Sequence, residues 1–176
     1  MKKQILIISI LLHTLLLVVV YVFQGMIFPF MRLNGLVPLL LPIASTGVAL
    51  YEGRDTGGIT GLFAGILCDV SFNQPAGVFT VLLTLTGLIV GTLADTVVLS
   101  GFVTYYISCA AVLMISAFVQ MFPLMLLPDY NMSILSLISV AIQQTIYSLI
   151  LALPIWFFVR ALGKRAERVA PSGKMY

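Results

Sequence analysis

Gly57-Gly58-Ile59-Thr60-Gly61-Leu62-Phe63-Ala64-Gly65-Ile66-Leu67-Cys68-Asp69 is the stretch that decides how this chain is read. Written as a helix, it brings Gly57, Gly61, Gly65 and Asp69 to one face, because residues four apart are neighbours on a helix surface. Three glycines make that face a smooth groove, and a carboxylate stands at its end. In water this would be a poor helix, since each glycine costs about 1 kcal/mol relative to alanine. In lipid the backbone must satisfy its own hydrogen bonds, so the helix forms despite them. There, small residues at this spacing mark a helix interface. Gly87, Gly91 and Asp95 repeat the pattern on the next apolar segment. The plainer reading of each glycine is packing within one bundle.

Composition sets the same frame. The chain is 61% hydrophobic and 9% charged, with a mean hydropathy of +1.15. A soluble domain is roughly a quarter charged. The expected class is an all-α integral membrane protein, with no soluble domain of useful size. No secretory cleavage pattern follows the first apolar segment, so that segment is read as a membrane helix. Cys68 and Cys109 sit inside apolar runs at no metal spacing and read as small buried hydrophobes. The basic residues cluster at the chain ends, where orientation and anionic lipid explain them without nucleic acid.

A span needs about 20 apolar residues. Six segments are read as spans, over residues 4–30, 36–51, 57–72, 78–94, 97–122 and 133–159, the second and third being short. They form one membrane domain over 1–162, followed by a basic cytoplasmic tail over 163–176. The second segment carries Pro38 and Pro42, each of which removes a backbone bond and favours a kink. It is expected to span, with a bent, partly re-entrant course as the alternative. Arg32, Asn34 and Gly35 read as a tight connection. Glu52–Thr56 reads as an aqueous loop, residues 73–77 as a turn, Asp95-Thr96 as a short break, and 123–132 as a loop. Six spans put both ends on one side. With the N-terminus inside, Lys2, Lys3, Arg54, Arg160, Lys164, Arg165, Arg168 and Lys174 lie inside and only Arg32 outside, as the positive-inside rule requires.

Candidate chemistry is sparse. Asp69 has several readings: pairing with a partner's basic residue, capping a neighbouring helix, binding a cation, or reaching water near a helix end. Intramembrane carboxylates usually face protein. Asp95 adjoins a break and reads as an interfacial carboxylate. His13 has no Cys, His or carboxylate at helical spacing, so interhelical hydrogen bonding is expected rather than metal binding. Gln143 and Gln144 read the same way. No nucleophile–base pair, phosphate loop or metal cluster stands out, which argues against an enzyme and against a bound cofactor.

Taken together, the layout resembles the rod shape-determining protein MreD family. The features that carry it are a small six-span chain, Pro38-Leu39-Leu40-Leu41-Pro42, a charged stretch, and the run from Gly57 to Asp69. That run is similar to the family's Gly-x3-Gly-[Phe/Leu]-x2-Gly-Leu-Leu-x-Asp core, with Gly77 opening the next helix. Glycine is doubled at 57–58, and Cys68 replaces an aliphatic residue. The resemblance implies a six-helix fold similar to the substrate-binding subunits of energy-coupling-factor vitamin transporters. It implies a scaffold in the bacterial inner membrane that binds MreC. The wider assembly would contain MreB, RodA and a class B penicillin-binding transpeptidase, and direct lateral peptidoglycan synthesis and cell shape. Gly57, Gly61, Gly65, Asp69, Gly87 and Gly91 are then partner-binding or helix-packing residues.

Two other functions compete. A vitamin-binding subunit would carry an Ala-x3-Ala-like patch on the first helix, yet residues 4–30 hold no alanine. A small proton-coupled transporter would use Asp69 as its carrier, and the glycine–aspartate echo between segments three and four fits an internal repeat. The echo fits helix packing equally well.

Overall fold

The computed structural model describes residues 2–27, 37–72, 77–96, 102–125 and 134–169. They form six α-helices: α1 (Lys2–Ile27), α2 (Leu40–Glu52), α3 (Arg54–Phe72), α4 (Val78–Thr96), α5 (Phe102–Met125) and α6 (Ile134–Val169). Three stretches are long and apolar enough to cross a membrane among the described residues: Val78–Thr96, Phe102–Gln120 and Ile138–Val159. The apolar part described in α1, Ile10–Met26, is shorter.

The architecture centres on α2. Leu40 to Leu50 are all buried, as expected for a helix that is hydrophobic on every side. The other five helices pack around it or against its neighbours. Gly47 lets Tyr105 approach, because a β-carbon there would sit 3.2 Å from the tyrosine ring. Tyr105 in turn packs on Trp156, with ring centroids 4.7 Å apart.

The direction of the helices follows from their contacts along α2. Gln24 meets Leu40 and His13 meets Glu52, so α1 runs antiparallel to α2. Ser148 meets Leu39 and Val159 lies beside Gly47, so α6 runs parallel to it. The Lys2 end of α1, the Val169 end of α6 and the α2–α3 turn therefore share one end of the bundle.

Several boundaries differ from the sequence reading. Glu52–Thr56 is not a loop. Glu52 closes α2, Arg54 opens α3, and only Gly53 separates them. Gly53 turns the chain at φ 83°, a left-handed conformation that glycine adopts without a β-carbon clash. Its amide bonds to the Ala49 carbonyl and its carbonyl accepts from Gly57. The prolines remove no hydrogen bond from within α2. Pro38 precedes the helix and Pro42 stands in its first turn, where amides have no partner inside the helix. The helix is only 13 residues long, or about 20 Å at 1.5 Å per residue. Helix α6 runs on through the start of the expected tail at 163–176, as far as Val169, since good helix formers follow Val159 with Gly163 interrupting them. Asp95 and Thr96, expected as a break, close α4, and of the loop expected at 123–132 the first three residues belong to α5. The connection at Arg32–Gly35, most of the turn at 73–77, the stretch after Thr96 and residues 126–132 lie outside the described residues.

Candidate functional site

The site is built on the α3–α4 hairpin, whose two backbones approach more closely than side chains allow. A β-carbon on Gly57 would lie 2.9 Å from the Gly87 carbonyl oxygen and 2.7 Å from the Ala49 β-carbon. One on Gly87 would run into the Gly57 carbonyl in return. One on Gly61 would strike the Leu83 carbonyl oxygen, and one on Gly65 would lie 2.6 Å from the Phe79 carbonyl oxygen. One on Gly91 would lie 2.7 Å from the Gly53 carbonyl oxygen. The glycines thus form an antiparallel ladder, each against backbone of the facing helix. Without a hydrophobic drive between helices in lipid, such contact supplies the van der Waals attraction that holds a pair.

Asp69 closes one end of this ladder. Its carboxylate accepts from the amides of Gly77 (2.9 Å), Phe79 (2.8 Å) and Thr80 (3.2 Å), and from the Thr80 hydroxyl at 2.6 Å. The three amides, one just before α4 and two in its first turn, have no acceptor inside the helix. A negative charge there is also favoured by the helix dipole. Asp69 is buried, at 9% exposure, and its burial is offset by four charge-assisted bonds. Of the readings open in the sequence, capping a neighbouring helix is the one the geometry displays.

Asp95 closes the other end. It accepts from the Arg54 amide at 3.0 Å, at the first residue of α3. A β-carbon on Gly53 would lie 2.5 Å from its Oδ1, so a larger residue there would push the carboxylate aside as well as strain the turn at positive φ. The sequence reads Asp95 as an interfacial carboxylate rather than a cap, and gives Gly53 no role of its own. The available signal was Gly53 itself, a glycine placed to end one helix before a charged first turn of the next.

A second polar cluster secures the buried start of α2. Val37–Leu39 is non-helical, and irregular backbone at membrane depth is tolerated where protein surrounds it. The Leu39 amide donates to Ser148 Oγ (3.0 Å) and the Leu40 amide to Gln24 Oε1 (3.2 Å). Gln144 Nε2 donates to the Val37 carbonyl (2.9 Å) and to Gln120 Oε1 (3.1 Å). Gln144 is thus an interhelical residue, as its sequence context suggested. His13 is fully buried with Nε2 4.0 Å from Glu52 Oε1. Cys68 and Cys109 are buried and free. Among the described residues, no group of three His, Cys, Asp or Glu is arranged to hold a metal.

Fold and site together define a small helical membrane protein. Its elements are joined by close backbone packing and by side chains that cap buried helix ends. The chain belongs to the MreD family: the description "rod shape-determining protein MreD" matches residues 3–166. No curated protein and no solved structure matches it. Membership gives it a role in rod-shape determination.

Proposed function

We propose that this chain is a non-enzymatic scaffold of the bacterial cell-elongation complex. It sits in the cytoplasmic membrane as six spans with both ends cytoplasmic, in a fold similar to energy-coupling-factor substrate-binding subunits. It binds MreC directly, and through it helps organise MreB, RodA and a class B penicillin-binding transpeptidase for lateral peptidoglycan synthesis. The observation that carries this reading is the family match across nearly the whole chain.

The hairpin supports the same reading. Gly57, Gly61, Gly65, Gly87 and Gly91 face backbone within the chain, so we assign them to internal packing and place the MreC contact on another surface. Asp69 accepts four hydrogen bonds. A proton carrier at that position would have to abandon the α4 cap in each cycle, which favours scaffold over transporter.

Capture of the tagged full-length chain from native membranes in mild detergent, with mass spectrometry of what accompanies it, tests the proposal. MreC is the expected companion. Recovery of an ATPase pair with a coupling membrane protein, and no MreC, would overturn it in favour of a transporter subunit.

A further inference from the structure

Helices α1 and α6 leave an apolar groove of about 380 Å³ between them, floored by Leu40 of α2. Leu16, Val19 and Phe23 form one wall, and Pro154 and Phe158 belong to the other. The groove opens sideways, away from the core: Val19, Phe23 and Phe158 are 57%, 52% and 66% exposed.

Its shape selects among apolar occupants. A transmembrane helix is about 10–12 Å across with its side chains, and helices dock closely in lipid on small residues. This lining contains no Gly, Ala, Ser or Thr; it is branched, aromatic or proline throughout. The volume is near the lower end of small-molecule sites, which run from about 300 to 1,000 Å³. A narrow, flexible hydrocarbon chain matches both properties.

Charge selects the headgroup. Lys2, Lys3, Arg160, Lys164, Arg165 and Arg168 are six of the nine lysines and arginines in the chain. All six belong to the two helices that form the groove, at the end those helices share. Helix α6 enters its basic stretch at Arg160, just beyond Phe158 of the groove wall. The acidic residues of that end, Glu52, Asp55 and Asp95, lie on α2, α3 and α4, with Glu167 the exception on α6. Apart from Arg54, which opens α3, the positive charge of that end thus lies on the groove helices.

We propose that the α1–α6 groove seats one acyl chain of an anionic phospholipid, whose phosphate headgroup lies at the basic end of these two helices. The lipid comes from the leaflet that faces this end.

The test uses the full chain in nanodiscs of equimolar phosphatidylglycerol and phosphatidylcholine with identical acyl chains, released and weighed by native mass spectrometry. The native protein is expected to retain one phosphatidylglycerol in preference to phosphatidylcholine. Each basic residue near the surface contributes about fivefold to anionic-lipid affinity, so Arg160→Gln with Lys164→Gln should reduce the preference by at least that factor. Val19→Trp fills the groove and should abolish retention of both lipids. Leu85→Trp adds the same bulk on the exposed face of α4 and should leave retention unchanged. Equal retention of the two lipids by the native chain would overturn the proposal, as would equal loss in Val19→Trp and Leu85→Trp. A lipid-free dimer dispersed by Val19→Trp would assign the groove to a second copy instead.

Discussion

Asp69 and Asp95 each cap the helix on which the other stands. Asp69, near the end of α3, accepts from the first turn of α4; Asp95, near the end of α4, accepts from the Arg54 amide that opens α3. Between them the glycines bring the two backbones into contact. The hairpin is thus latched at both ends, and its two halves use the same Gly-x3-Gly-x3-Asp spacing to do it.

The buried latch should be the stronger. Asp69→Ala leaves several first-turn donors of α4 without an acceptor, at a cost of about 2 kcal/mol. Asp69→Asn keeps one oxygen acceptor and should lose about half as much. Equilibrium unfolding in mixed detergent micelles measures both. Equal stability of all three proteins would show that the cap contributes nothing.

Asp95 is exposed, so Asp95→Ala should destabilise less than Asp69→Ala in the same assay. Gly53→Ala should exceed Asp95→Ala. It places a β-carbon 2.5 Å from the Asp95 carboxylate in a left-handed turn that disfavours one.

Glycines in the ladder should differ sharply from one outside it. Gly61→Ala drives a β-carbon into the Leu83 carbonyl, and overpacking of this kind costs about 1–3 kcal/mol. Gly25 has nothing within 4 Å of the β-carbon position. Gly25→Ala should therefore be neutral or stabilising by up to about 1 kcal/mol, from helix propensity alone. Thermal unfolding in detergent of the two single variants gives the sign of each.

At the start of α2, Ser148→Ala removes the acceptor of the buried Leu39 amide. Interhelical hydrogen bonds in membranes are worth about 1 kcal/mol or less, and this loss should be of that size. Ser148→Thr retains the hydroxyl and should stay within about 0.5 kcal/mol of the native protein. Amide hydrogen exchange should quicken at Leu39 and Leu40 in the alanine variant only.

The helix pair was legible because one period explains it. Spacing of four puts Gly57, Gly61, Gly65 and Asp69 on one face, and the echo at Gly87, Gly91 and Asp95 names the facing helix. Its fine geometry was harder to read. The charges of Glu52–Thr56 suggest water and a loop, which hides the fact that Gly53 alone makes the turn. With α3 taken to begin at Gly57, Asp95 had no helix end to cap. Pro38 and Pro42 suggest a kink because sequence shows a proline's presence but not its position relative to the first turn. The Leu39–Ser148 bond joins residues 109 positions apart, and local pattern carries no information at that distance. The groove between α1 and α6 is likewise a property of two helices meeting, so neither helix alone displays it.

Asp69 acts as a cap in a scaffold, and rod-shape rescue measures that most directly. Cells depleted of the native protein would receive Asp69→Asn or Asp69→Ala, with folded protein level and MreC capture recorded beside cell shape. The expected result is that shape follows folded protein, so Asp69→Asn restores rods wherever it accumulates and captures MreC. Round cells containing abundant, folded Asp69→Asn protein with MreC bound would contradict the account, because the carboxylate would then be needed for its charge or proton rather than for the fold.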